Sequence, residues 1–169
     1  MTDNGLPEQL PGFDDPIGLL RACHKKMLLH CDLLEGLLAN PEPAVAQQVQ
    51  RYFSTNAVTH HHDEEEDLFP RLNRQSMKLA DLVHRLKLDH VELDRLWAVI
   101  SAGLRRLPQA LGEPAFAEAV QAFCRLSREH IGRENTEFLP LAASSLSSAA
   151  LGDIGEAMAA RRGVRYSAL

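Results

Sequence analysis

Aromatic residues make up only 5% of this 169-residue sequence, with a single tryptophan. No apolar run in it approaches the roughly 20 residues that a bilayer-spanning helix needs. A membrane-spanning protein is therefore not expected. Positive charge is not in excess either: the net charge is -5 and the pI about 5.9. That balance argues against nucleic acid or an anionic membrane surface as a partner. Cysteine is scarce, with Cys23, Cys31 and Cys124 and no C-x-x-C pair. Neither a disulfide framework nor a paired-thiol redox motif is expected, and reduced, packed thiols in a cytoplasmic protein are. The opening "MTDNGLPEQLPGFDDP" lacks the basic and apolar stretches of a secretory leader. Strand signals are almost absent. What is present, 45% hydrophobic and 24% charged residues, fits a soluble globular domain large enough for a sizeable core.

Punctuation divides the chain into helical stretches. Residues 1–13 read as a flexible N-terminal arm. Asp15 followed by Pro16 is an N-cap with proline in the first turn. From there Ile17, Leu20, His24, Met27, Cys31, Leu34 and Leu38 recur at helical spacing. "ANPEP" separates this from a second stripe: Val45, Val49, Phe53, Ala57, His60, Glu64 and Leu68, ending near Pro70. A third starts near Ser76 and carries Leu79, Val83, Leu86, His90, Leu93, Trp97, Ile100 and Leu104. The fourth carries Phe116, Val120, Phe123, Ser127, His130, Glu134 and Phe138, ending near Pro140. "AALGDIGEAMAARRG" reads as a short fifth helix and "VRYSAL" as a frayed tail. The expectation is an all-α fold: an antiparallel up-down four-helix bundle over 14–142, then a short C-terminal helix and tail over 143–169.

Each stripe is apolar except at one depth. The first breaks at His24, the second at His60 and Glu64, the third at His90, and the fourth at His130 and Glu134. An unpartnered ionised carboxylate on a core face costs several kcal/mol. Two of them threaten a fold whose whole stability is about 5–15 kcal/mol. A pair of divalent cations reverses the sign, because carboxylates neutralise part of the charge and imidazoles offer neutral nitrogens. Four His and two Glu suit iron, manganese or zinc better than calcium. The i, i+4 spacing lets His60 with Glu64, and His130 with Glu134, reach one centre from one helix face. His60 precedes Pro70 by the same ten residues as His130 precedes Pro140, which puts both pairs at one height. Two shared glutamates are able to bridge two metals, with room left for an oxo or hydroxo bridge and a small exogenous molecule.

Four segments, "LLRACHKKM", "HHHDEEEDLFPRL", "DHVELDRLW" and "EHIGRENTEFLPLA", resemble the signature segments of hemerythrin-like, or HHE cation-binding, domains. The resemblance spans about residues 16–142. It implies two non-haem iron ions in a four-helix bundle, bound by His24, His60, Glu64, His90, His130 and Glu134, with the glutamates bridging. In one respect the sequence departs from oxygen-carrying members, which place two ligand histidines four apart on the third helix. Here Leu86 and Asp94 flank His90 at that spacing. An additional open metal position follows, which favours nitric oxide, peroxide or redox chemistry over simple oxygen storage.

Other polar residues of "HHHDEEED" read as solvated charge: His62, Asp63, Glu66 and Asp67 on outer faces, and His61 and Glu65 toward a flank. A shift of register by one would make His61 and Glu65 the ligands, and Glu65 is also placed to orient a ligand imidazole. His30 and His84 fall off the stripes and read as surface histidines. Two principal functions remain open. One is a protein that binds or senses O2, NO or a peroxide. The other is a diiron oxidase or peroxidase, or an iron donor in nitrosative or oxidative stress and iron-sulfur cluster repair. Zinc or manganese on the same ligands with hydrolytic chemistry, a metal-free helical module, and a redox or regulatory protein partner are also open.

Overall fold

A computed structural model describes residues 11–168. Every regular element among them is helical. Helix α1, Pro16–Gly36, starts where Asp15 caps the Gly18 amide at 2.9 Å and Pro16 occupies the first turn. Two prolines at 41 and 43 separate it from α2, Pro43–Ser54. At Thr55 the backbone leaves helical geometry (φ -129°, ψ -71°), and α3, Asn56–His62, resumes. After a second interruption come α4, Phe69–Leu72, and α5, Met77–Leu104, the latter capped by the Ser76 hydroxyl on the Leu79 amide. A 3-10 turn, Gln109–Gly112, leads to α6, Pro114–Arg133. Helices α7, Leu139–Ser145, and α8, Ser148–Arg161, complete the chain. No described helix is long and apolar enough to cross a membrane.

Both interruptions that flank α4 and α7 are π turns, at Asp63–Leu68 and Glu134–Phe138. The Phe69 amide reaches back five residues to Glu64, and the Leu139 amide to Glu134. The physical cause is the proline that follows each. Pro70 and Pro140 lack an N–H, and in an unbroken α-helix their rings would clash with the carbonyl four residues earlier. The wider turn relieves that clash, so the rod continues through each proline to Leu72 and Ser145 instead of ending near it.

Helix α1 packs on α2, α3, α6 and α8, and α5 packs on α2, α4 and α6. The apolar stripes meet in two clusters. One contains Met27, Leu34, Val49, Phe53, Leu93, Ile100, Phe116 and Phe123. The other contains Leu20, Leu68, Phe69, Leu82, Leu86, Phe138, Ile154 and Met158. Between them lies one polar layer. Along α1 the order is Leu20, His24, Met27, and along α5 it is Leu86, His90, Leu93, so each helix passes from one cluster to the other at a histidine.

Most of the expected N-terminal arm, residues 1–10, lies outside the described residues. Its last residue is packed: Phe13 lies 5.9 Å from Tyr166 between ring centroids. The tail does not fray either, because the Ala168 amide donates to Glu156 at 2.7 Å. Two other expectations are corrected. His30 is buried, not on the surface, with its ring stacked 3.7 Å from Tyr52 and Nδ1–H donating to the Lys26 carbonyl. Asp63 is fully buried, because α8 folds back over the first π turn. Arg161 and Arg162 bind its two oxygens at 2.5 and 2.6 Å. Off-stripe positions point outward only until another element covers them.

Gly103, buried in α5, marks a close approach of α5 and α6: a Cβ there would stand 2.2 Å from the Phe116 ring. Gly103→Ala is expected to cost about 1–3 kcal/mol by overpacking. Gly132→Ala, where nothing lies within 4 Å of the added Cβ, is expected to be neutral or stabilising by up to about 1 kcal/mol. Urea denaturation of the two variants checks both signs.

Candidate metal centre

Six side chains close the polar layer. His24 comes from α1, His60 from α3, His90 from α5 and His130 from α6, and Glu64 and Glu134 come from the two π turns. All six are buried, with both glutamates at 0% exposure. They fall into two sets, His24–His60–Glu64–Glu134 and His90–His130–Glu64–Glu134. Within each set the donor atoms lie within 4.8 Å of one another. The glutamates belong to both, and their oxygens are divided between the two. Glu64 turns Oε1 to His60 Nε2 at 2.8 Å and Oε2 to His90 Nε2 at 3.3 Å. Glu134 turns Oε2 to His24 Nε2 at 2.9 Å and Oε1 to His130 Nε2 at 3.3 Å.

Three of the imidazoles are aimed from behind. His24 Nδ1 is 2.7 Å from Asn135 Oδ1, His90 Nδ1 is 2.6 Å from Glu65 Oε1, and His130 Nδ1 is 3.0 Å from Asp89 Oδ2. A carboxylate oxygen only accepts, so in His90 and His130 Nδ1 carries the proton and donates. Asn135 Oδ1 likewise accepts from His24. In the neutral ring this leaves Nε2 as a bare lone pair aimed at the centre. Arg133 steadies Asp89 at 2.6 Å, and Arg21 donates to the Asn135 carbonyl at 3.1 Å. His60 has no such oxygen on Nδ1; the Cys23 thiol is the group beside its ring.

These atoms fit a cation. His24 and His60 face each other Nε2 to Nε2 at 3.1 Å, and His90 and His130 at 3.2 Å. Neutral rings set lone pair against lone pair, fully protonated rings set N–H against N–H, and one proton per pair makes a single N–H···N bond. All four carboxylate oxygens are buried without an aligned hydrogen-bond partner, although imidazole nitrogens stand 2.8 to 3.3 Å away. A positive ion between each facing pair would satisfy both nitrogens and oxygens. Nitrogen and carboxylate donors in this mixture suit a transition metal.

Without a cation, protons take its place. Burial pushes the His24 pKa down, but contacts with Glu134 and Glu64 outweigh it and raise the group to about 8. Burial likewise opposes the rise of His130, which Glu134 and Asp89 lift to about 10. Burial and the Glu64 charge push Glu134 up, yet His130 and His24 hold it at about 2. Neighbouring His61 behaves oppositely, and burial holds it well below the usual histidine range.

Several functional partners were not visible in the sequence stripes. Asp89 and Asn135 sit next to His90 and Glu134 in sequence but serve histidines on other helices, so no i, i+4 pattern reports them. The π turns did leave a signal, since each shared glutamate precedes a proline by six residues. Glu65, read chiefly as solvated charge toward a flank, takes up its alternative role behind the His90 imidazole. Asp94 belongs to neither donor set. It lines an apolar cavity of about 50 Å3 together with Met27, Phe53, Trp97, Phe123, His61 and His130. His84 is exposed, as expected.

Two comparisons bear on this geometry. A family model described as the hemerythrin HHE cation binding domain matches residues 15–142. An uncharacterized protein of Haemophilus influenzae is 29% identical over 167 residues, covering 94% of this chain and 96% of its own length.

The pKa directions set a pH dependence for the metal-free protein. Histidines raised in the fold contribute stability that is full below their unfolded value near 6.5. It is lost as pH climbs through about 8 for His24 and about 10 for His130. The depressed Glu134 contributes stability above its ordinary value of 4.5 that is lost as pH falls through about 2. Chelator-treated protein is expected to melt at progressively lower temperature between pH 7 and 10, which calorimetry across that range measures.

Proposed function

The chain belongs to the hemerythrin HHE cation-binding family, and from that premise we propose that it holds a pair of non-haem irons and binds or senses a small ligand. Glu64 and Glu134 would be shared by the two irons, with His24 and His60 holding one and His90 and His130 the other. The observation that carries this reading is the division of the two buried carboxylates, one oxygen toward each histidine pair. The four long helical segments alternate in direction around this centre, as short connections between them favour.

A bound iron pair supplies open coordination positions and electrons for O2, nitric oxide or a peroxide. The chain supplies orientation and shelter. Asn135, Glu65 and Asp89 hold three imidazoles with Nε2 inward. Glu64, Glu134, Glu65 and Asp89 bring four negative charges, and Arg133 returns one positive charge. That balance suits two divalent cations in a site sealed above and below by apolar clusters. The cavity over His130 is lined mainly by apolar side chains and, at about 50 Å3, has the size for a diatomic molecule or peroxide but not for a metabolite.

Protein from iron-replete cells is expected to carry two irons per chain and to show an oxidised-state visible absorption altered by azide or nitric oxide. Glu134→Ala is expected to weaken iron binding by more than the roughly 10–100-fold typical of residues that only orient ligands. Elemental analysis with optical titration reads both. An iron-free, colourless wild-type protein that chelators do not destabilise would overturn the reading. Steady-state consumption of peroxide would place the protein among diiron enzymes instead of binding proteins.

A further inference from the structure

The two donor sets are equal in number, but their surroundings are not. On α5 the position one turn before His90 is Leu86, fully buried in the apolar cluster, so that helix contributes one imidazole only. His61 approaches the same side from α3. It follows His60 by one residue, which turns its side chain by about 100° around the helix. Its ring stacks on His90 at 3.9 Å between centroids with an interplanar angle of 21°. The His130 ring lies 6.2 Å away. One nitrogen each from His61, His90 and His130 forms a third set, all within 4.8 Å of one another. Two nitrogens on opposite sides of one metal ion stand about 4.2 Å apart, given metal–nitrogen bonds of about 2.1 Å. A bound of 4.8 Å lies within a small ring rotation of that separation.

We propose that His61 is a further metal ligand on the His90/His130 side, supplying from α3 the imidazole that Leu86 denies to α5. The two ions are then inequivalent, one held by two imidazoles and the other by three, with both glutamates shared. His61 also lines the apolar cavity, so the three-imidazole side is the one that this cavity overlooks. This inference rests on the metal-pair reading above and extends its ligand set.

Cobalt(II) alone is the probe, because its visible absorption intensity reports coordination number. Wild-type protein, His61→Ala and His61→Gln are titrated, with metal-free helicity and melting temperature recorded for each. The expected result is two ions bound by wild type. In both variants one site keeps its affinity, and the other loses at least the roughly tenfold that even an outer partner contributes. The absorption of the weakened site rises as its coordination number falls, and millimolar imidazole restores wild-type behaviour in His61→Ala. Two wild-type affinities and an unchanged spectrum in both variants, with helicity intact, would refute His61 as a ligand while leaving the metal pair standing. Loss of both sites together would refute it too, by making His61 a support for the whole layer. A wild-type chain that binds no cobalt or iron would remove the metal-pair reading itself.

Discussion

Two carboxylates at zero exposure, facing four imidazole nitrogens, are the constraint around which this molecule is arranged. Burying an uncompensated carboxylate costs several kcal/mol, which is comparable with the total stability of a domain this size. The helices nevertheless deliver Glu64 and Glu134 to the boundary between two apolar clusters. Positive charge at that layer, from a cation or from protonated imidazoles, compensates them, and the carboxylate oxygens are split between the two histidine pairs. The Nε2 atoms of each histidine pair face each other at 3.1 and 3.2 Å.

Much of the surrounding architecture serves that layer. The π turns place each glutamate at the start of a widened segment, and the prolines six residues later keep those segments from closing into regular α-helix. Helix α8 lies outside the helices that carry the donors, yet the arginines at its C-terminal end tie it to the centre. Arg161 and Arg162 clasp Asp63, the residue before Glu64, and Arg161 also holds Glu66 and Asp67. A run of four acidic side chains beside a buried glutamate would repel itself; the arginines neutralise its outer part. The second π turn has no such clasp. Its Asn135 instead accepts from His24 on α1.

Much of this was legible along the chain, and the reason is periodicity. Following apolar residues at helical spacing exposed His24, His60, Glu64, His90, His130 and Glu134 as breaks, and those six side chains do converge. The start of α5 next to Ser76 and a short helix near α8 were also readable along the chain. Other features were misread for an equally physical reason. Asp63 and His30 lie off their own helix's apolar stripe, so a one-helix view places them outside. Each is buried by something remote in sequence: Asp63 by arginines 98 and 99 residues away, and His30 by Tyr52. The kink at Thr55 left no proline or glycine to announce it.

Spacing within a helix is encoded locally, so the residue types, their common depth and the family resemblance could be read without a structure. Hydrogen-bond partners on other helices are not encoded locally. Which oxygen of each glutamate turns to which histidine pair, which groups steer the imidazoles, and on which side His61 approaches were decided only by tertiary packing. Those facts depend on angles between helices that no single periodicity contains.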